Sequence, residues 1–63
     1  MTECNQKIII ANKLKNLREE ILRLTKEKEN FVDDPEVLKF LEINIRRRQT
    51  KIMALHFEYN MAN

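Results

Sequence analysis

No glycine and no tryptophan occur in the 63-residue chain, and proline, cysteine and histidine occur once each. Without glycine the chain cannot form a glycine-rich phosphate loop, whose backbone must approach the phosphates closely. One cysteine excludes a disulfide within the chain, and Cys4 together with His56 falls short of the four ligands of a structural zinc site. No apolar run exceeds four residues, as in Ile8 to Ala11, whereas a bilayer span needs about 20 and a signal-peptide core at least about seven. Charge of one sign is also scarce. Twelve Lys and Arg against ten Asp and Glu leave +2, well short of the dense positive field of a dedicated nucleic-acid binder. These absences predict one small cytoplasmic domain without a membrane segment, a cofactor or a metal site of its own, and with little material for independent catalysis.

What the chain does have is periodicity. Ile10, Leu14, Leu17, Ile21, Leu24, Lys28 and Phe31 recur at alternating steps of four and three, the a/d spacing of a coiled-coil seam broken only by Lys28. Leu38, Leu41, Ile45, Arg48, Ile52, Leu55 and Tyr59 alternate three and four in the same way, with Arg48 the interruption. Between them stands the only punctuation, Asn30-Phe31-Val32-Asp33-Asp34-Pro35. Proline suits the first turn of a helix, and an aspartate just before it caps the exposed amides. The adjacent carboxylates Asp33 and Asp34 read as caps, because a cation site needs further oxygen ligands at fixed spacing.

The expected fold is therefore all-α: an antiparallel two-helix hairpin with a coiled-coil-like seam. Helix 1 covers about residues 5–29, the loop about 30–34 and helix 2 about 35–60, each helix roughly 38 Å long. Pairing a with facing d positions sets Phe31 against Leu38, Leu24 against Ile45, Leu17 against Ile52, Leu14 against Leu55 and Ile10 against Tyr59. This register brings Glu20 near Arg48 and Lys51, and Lys13 near Glu58.

A second stripe runs along helix 2: Phe40, Ile43, Arg47, Thr50, Ala54, Phe57 and Met61, again in steps of three and four, on the side away from the seam. Helix 1 is read as one-sided, with Asn12, Asn16, Glu19, Arg23 and Lys26 outward and Leu22 the exception. A helix apolar on two faces expects a second layer. That layer is either a symmetry mate, giving a dimeric four-helix bundle, or another protein. Phe40, Ile43, Arg46, Arg47, Ala54 and Phe57 are the candidate partner-binding residues.

Arg46-Arg47-Arg48, with Lys51 a turn on, is the only charge cluster. Successive helical residues point about 100° apart, so the three arginines do not form one flat patch. The bland reading is a solvated helix with arginine stems lying over apolar surface, and the functional one is an anchor for an acidic or phosphorylated partner. No second basic helix, aromatic platform or arm accompanies the cluster, which argues against reading of nucleic acid. His56 lacks a Cys, Asp or Glu at i±4 and reads as a half-buried interface histidine. Cys4 lacks a positioned base and reads as structural or incidental. Met53 and Met61 suit either packing or an adaptable binding surface.

Leu17-Arg18 on helix 1, the acidic loop, and Asp34-Pro35-Glu36-Val37-Leu38-Lys39 opening helix 2 together resemble the small sporulation-regulating aspartyl-phosphate phosphatases of bacilli, the stage-zero sporulation protein E type. The resemblance covers roughly residues 14 to 45. That family's helix-2 signature reads serine, glutamine, glutamate, leucine, aspartate. The nearest stretch here is Phe40-Leu41-Glu42-Ile43-Asn44, in which Glu42 is identical, Ile43 is a conservative replacement for leucine and Asn44 is an amide in place of the acid. Phe40 and Leu41 stand in place of the serine and glutamine.

The resemblance implies a helical hairpin whose partner is a phosphorylated response regulator controlling sporulation, with the regulator supplying the acidic pocket and Mg²⁺. Glu42 and Asn44 become the candidate catalytic residues, followed within a turn by Arg46 and Arg47. A polar side chain offered from a helix can position the water that attacks an already labile acyl phosphate. The competing expectation is a hairpin that acts by occupancy alone, a stoichiometric inhibitor or adaptor using Phe40, Ile43, Ala54 and Phe57.

Overall fold

The computed structural model describes the backbone of residues 2–62 and the side chains of residues 5–62. Two helices of equal length, α1 (Thr2–Lys28) and α2 (Pro35–Met61), are joined by a single 3₁₀ turn, Glu29–Phe31. The connection is tighter than an open loop because the last turn of α1 narrows into i→i+3 bonding, which gives partners to carbonyls that a helix end leaves free. Asp34 then departs from helical geometry at φ −120°, ψ 91°, and its Oδ1 accepts from the Val37 N–H at 3.2 Å. Its own N–H donates to the Phe31 carbonyl at 2.9 Å, and its carbonyl accepts from Leu38 N–H at 3.0 Å. Pro35 occupies the first helical position, where its missing N–H costs nothing. At the far end of α2 the Ala62 N–H closes onto the Glu58 carbonyl at 2.9 Å.

The helices pack antiparallel along the expected seam. Ile10, Leu14 and Leu41 are buried. Leu17, Ile21, Leu24, Lys28, Leu38, Ile45, Arg48, Ile52 and Leu55 are half-buried. Phe31 and Tyr59 sit at the two ends of the seam, where no third element covers them, and are correspondingly more open at 39% and 37%.

Cross-helix polar contacts hold the register. Arg48 Nε donates to Glu20 Oε2 at 2.8 Å, and Lys28 Nζ lies 3.7 Å from Glu42 Oε1. Arg18 Nη2 donates to His56 Nε2 at 3.2 Å, and the Lys7 ammonium stands 5.2 Å from the centre of the Tyr59 ring. The expected approach of Glu20 to Arg48 is present. Lys13 and Glu58, expected near one another, form no ion pair among the described residues; Lys13 lines one hollow with Ala54, and Glu58 another with Ile9 and Met61. Such pairs add about 0 to 1 kcal/mol each, so burial along the seam supplies most of the hold.

The resulting rod measures 50 × 15 × 10 Å. It exposes 5344 Å², against roughly 4,300 Å² for a compact folded monomer of this mass. No helix is long and apolar enough to cross a membrane, and no group of three or more metal-ligating side chains occurs among the described residues.

Candidate docking surface on the second helix

The outer stripe of α2 is uncovered from one end to the other. Phe40, Ile43, Arg47, Thr50, Ala54, Phe57 and Met61 are all exposed, with Phe40 at 66%, Phe57 at 67% and Met61 at 67%. A 3.6-residue helical repeat places these positions on the side opposite Leu38, Leu41, Ile45, Ile52 and Leu55, so packing the seam necessarily leaves them in water. Met53 on the neighbouring strip is exposed as well.

Helix α1 is less one-sided than its sequence suggests. Besides Leu22, Ile8 and Ile9 lie exposed, at 57% and 53%. The run Ile8-Ile9-Ile10 reads as one apolar segment, yet only one residue in three consecutive helical positions can face a single partner helix. Ile10 takes the seam and the other two turn outward.

Three hollows in line along one flank of the hairpin make up a groove that the sequence reading did not name, although it named Arg47 and Ala54. Its walls are Gln6, Ile9, Lys13, Asn16 and Glu20 from α1, and Asn44, Arg47, Lys51, Ala54, Glu58 and Met61 from α2. Both sets step by three and four, and the α2 wall takes Arg47, Ala54 and Met61 from the edge of the outer stripe and Asn44, Lys51 and Glu58 from nearer the seam. The floor is formed by Ile10, Leu17, Leu55 and Ala62. Toward the turn the groove opens into a polar depression of about 690 Å³ lined by Leu17, Glu20, Asn44, Arg47, Arg48, Thr50 and Lys51. The signal was present in the sequence as a third 3/4 spacing, masked there because its members are mostly polar. The opposite flank carries a smaller hollow at Ala11, Leu14, Arg18, His56 and Tyr59.

The candidate catalytic residues sit on different flanks. Glu42 is exposed beside Lys28, its ion-pair partner across the helices. Asn44 lies two positions on, about 200° round the helix, in the polar depression. Its Nδ2 donates to the Phe40 carbonyl at 2.9 Å and its Oδ1 accepts from Arg48 Nη1 at 3.3 Å. Arg48 itself is committed to Glu20 and to the Asn44 carbonyl, the latter at 3.1 Å. Arg46 and Arg47 are exposed, and neither forms an ion pair among the described residues. Thr50 is tied back to the Arg46 carbonyl at 3.1 Å.

His56 is exposed, not half-buried as its place beside the seam suggests. Its Nε2 meets a guanidinium that can only donate, so that nitrogen serves as an acceptor in this contact. The side chain of Cys4 lies outside the described residues.

Compared with family models, with curated proteins and with solved structures, the chain matches none. The class of protein defined by the geometry is a bare helical hairpin with an uncovered apolar face.

Proposed function

We propose that the chain is a small regulatory protein that docks on a signalling protein, and that this partner is a response regulator whose aspartyl phosphate the docked hairpin helps to hydrolyse. The observation that carries the docking reading is the unbroken exposure of the α2 stripe from Phe40 to Met61 in a chain whose buried apolar side chains are only Ile10, Leu14 and Leu41 among the described residues. An apolar face of that extent on so small a rod marks an interaction surface. The chemical half rests on the resemblance over residues 14–45 and on Asn44, which lies in one depression with Arg47 and Lys51.

In the hydrolysis, the oxygen of water bonds to phosphorus and the P–O bond to the aspartyl carboxyl breaks. The bonding pair leaves with the carboxylate, and both protons of the water end on inorganic phosphate. Asn44 contributes an amide that orients the water, at the turn-side end of the depression it shares with Arg47 and Lys51. Glu42 holds α2 to α1 through Lys28 and stands aside from this chemistry. Mg²⁺ belongs to the regulator. A partner of this kind puts the chain in the cytoplasm and makes it a negative regulator of sporulation signalling.

The test is phosphate release from a phosphorylated response regulator of the same host, with the chain at one-tenth of the regulator concentration. Multiple turnovers are expected. Asn44→Ala lowers the rate at least about tenfold with unchanged helicity, and Glu42→Ala leaves it within about twofold. One observation favours a second reading: both ends of the Asn44 amide are already hydrogen-bonded within the hairpin. A stoichiometric block of the partner without phosphate release decides for occupancy alone and against the phosphatase reading.

A further inference from the structure

The flank groove has the form of an unfilled third position in a helical bundle. Each wall steps by three and four, the floor is apolar, and the trough between Arg47 and Met61 of α2 spans about 21 Å at the helical rise, or four turns. Three cations line it from the turn-side end to the middle: Arg47 and Lys51 on α2, and Lys13 on α1. All three are exposed, and none is ion-paired among the described residues, whereas the nearby Arg48 is neutralised by Glu20. The only acid among the remaining wall residues is Glu58, at the end beside Met61.

This charge distribution selects among occupants. A second copy presents the same unpaired cations, so two grooves laid together set like charges face to face. An anionic membrane offers a plane, whereas these three cations wall a trough between two helices. We propose that the groove receives an acidic amphipathic helix of a protein partner, with apolar residues at i, i+3, i+4 and i+7 on the floor and Asp or Glu facing Lys13, Arg47 and Lys51. Resting on the docking half of the proposed function, this assigns the recognised surface of the partner: a helix about four turns long with an acidic margin. The helix seats between Arg47 and Met61 and leaves Asn44, at the turn-side end of the trough, open to the phosphoryl group.

The experiment is a selection from a display library of 15-residue helical peptides, with apolar positions fixed at 3/4 spacing and flanking positions randomised, against the full chain. Enrichment of Asp and Glu at the flanking positions is expected. An enriched peptide, resynthesised, should bind at least about tenfold more weakly when salt is raised from about 50 to about 500 mM. The charge-reversed variant Lys13→Glu, Arg47→Glu, Lys51→Glu alters three exposed, unpaired side chains and should keep its circular dichroism. Against that variant, Lys and Arg should enrich instead.

Neutral or basic peptides enriched by the native chain would overturn the proposal, as would the same acidic peptides enriched by the reversed variant. So would sedimentation of the native chain as a dimer that excludes peptide, or binding to anionic phospholipid vesicles that no peptide displaces. The phosphate-release assay fails or succeeds separately. Acidic enrichment without phosphate release leaves the groove assignment standing and removes the phosphatase reading, and the reverse result does the opposite.

Discussion

Two adjacent residues separate the seam from the outer face, and replacing each by alanine measures that separation. Leu41 is 5% exposed and Phe40 is 66% exposed. Leu41→Ala removes three carbons from the seam at about 0.8 kcal/mol each, nearly all of it realised because the site is almost dry. A residual cavity adds to this, although the thin rod can close around it, so the expected loss is about 2.5 to 3 kcal/mol, near the lower end of the usual Leu→Ala range. Phe40→Ala removes a larger side chain, yet only about a third of its surface leaves water on folding. Its loss is then about 0.5 to 1 kcal/mol. Urea unfolding followed at 222 nm, at two concentrations tenfold apart in the low micromolar range, compares the two. An equal loss for both variants would refute the reasoning, because it would place Phe40 in a packed environment. A Phe40→Ala loss that appears only at the higher concentration would mean that a second copy covers the stripe.

Four further substitutions follow from the contacts. Asp34→Ala deletes the only side-chain cap of α2 and should cost about 1 kcal/mol, read as a fall in Tm of roughly 4 to 8 °C for a domain of this size. Arg48→Met replaces a half-buried seam cation by an apolar chain of similar length and should be neutral or mildly stabilising, whereas Glu20→Gln leaves Arg48 without its carboxylate and should cost about 1 kcal/mol in the same urea assay. Lys28→Ala should cost no more than about 1 kcal/mol, since its partner Glu42 is more than half exposed.

The two helices, their direction and their pairing were legible in the sequence because a 3/4 apolar spacing has few geometric solutions once a short connection follows it. Asp34 and Pro35 fixed the start of α2 for the same reason: capping is local chemistry that the residue types carry with them. Lys13 and Glu58, expected near one another, form no ion pair because long exposed side chains have many rotamers, and a pair worth so little does not select one. The one-sided reading of α1 passed over Ile8 and Ile9, because an apolar run gives no orientation until one of its neighbours claims the seam. The outer stripe of α2 was visible as a pattern, but the flank groove was not. A trough between helices exists only after the register is set, and its polar walls carry no hydropathy signal. The separation of Glu42 from Asn44 follows from two positions on a helix, about 200° apart, and it set Glu42 beside Lys28 and Asn44 on the other flank.

The equal lengths and opposed directions of α1 and α2 have an electrical consequence. Each helix carries a macrodipole, and two of the same length laid side by side in opposite directions very nearly cancel. A visiting protein therefore feels almost no axial field from the peptide groups. What turns it, and decides which way round it settles, is the off-centre set of side-chain charges along one edge, so orientation is written in a few lysines and arginines and is weakened by salt.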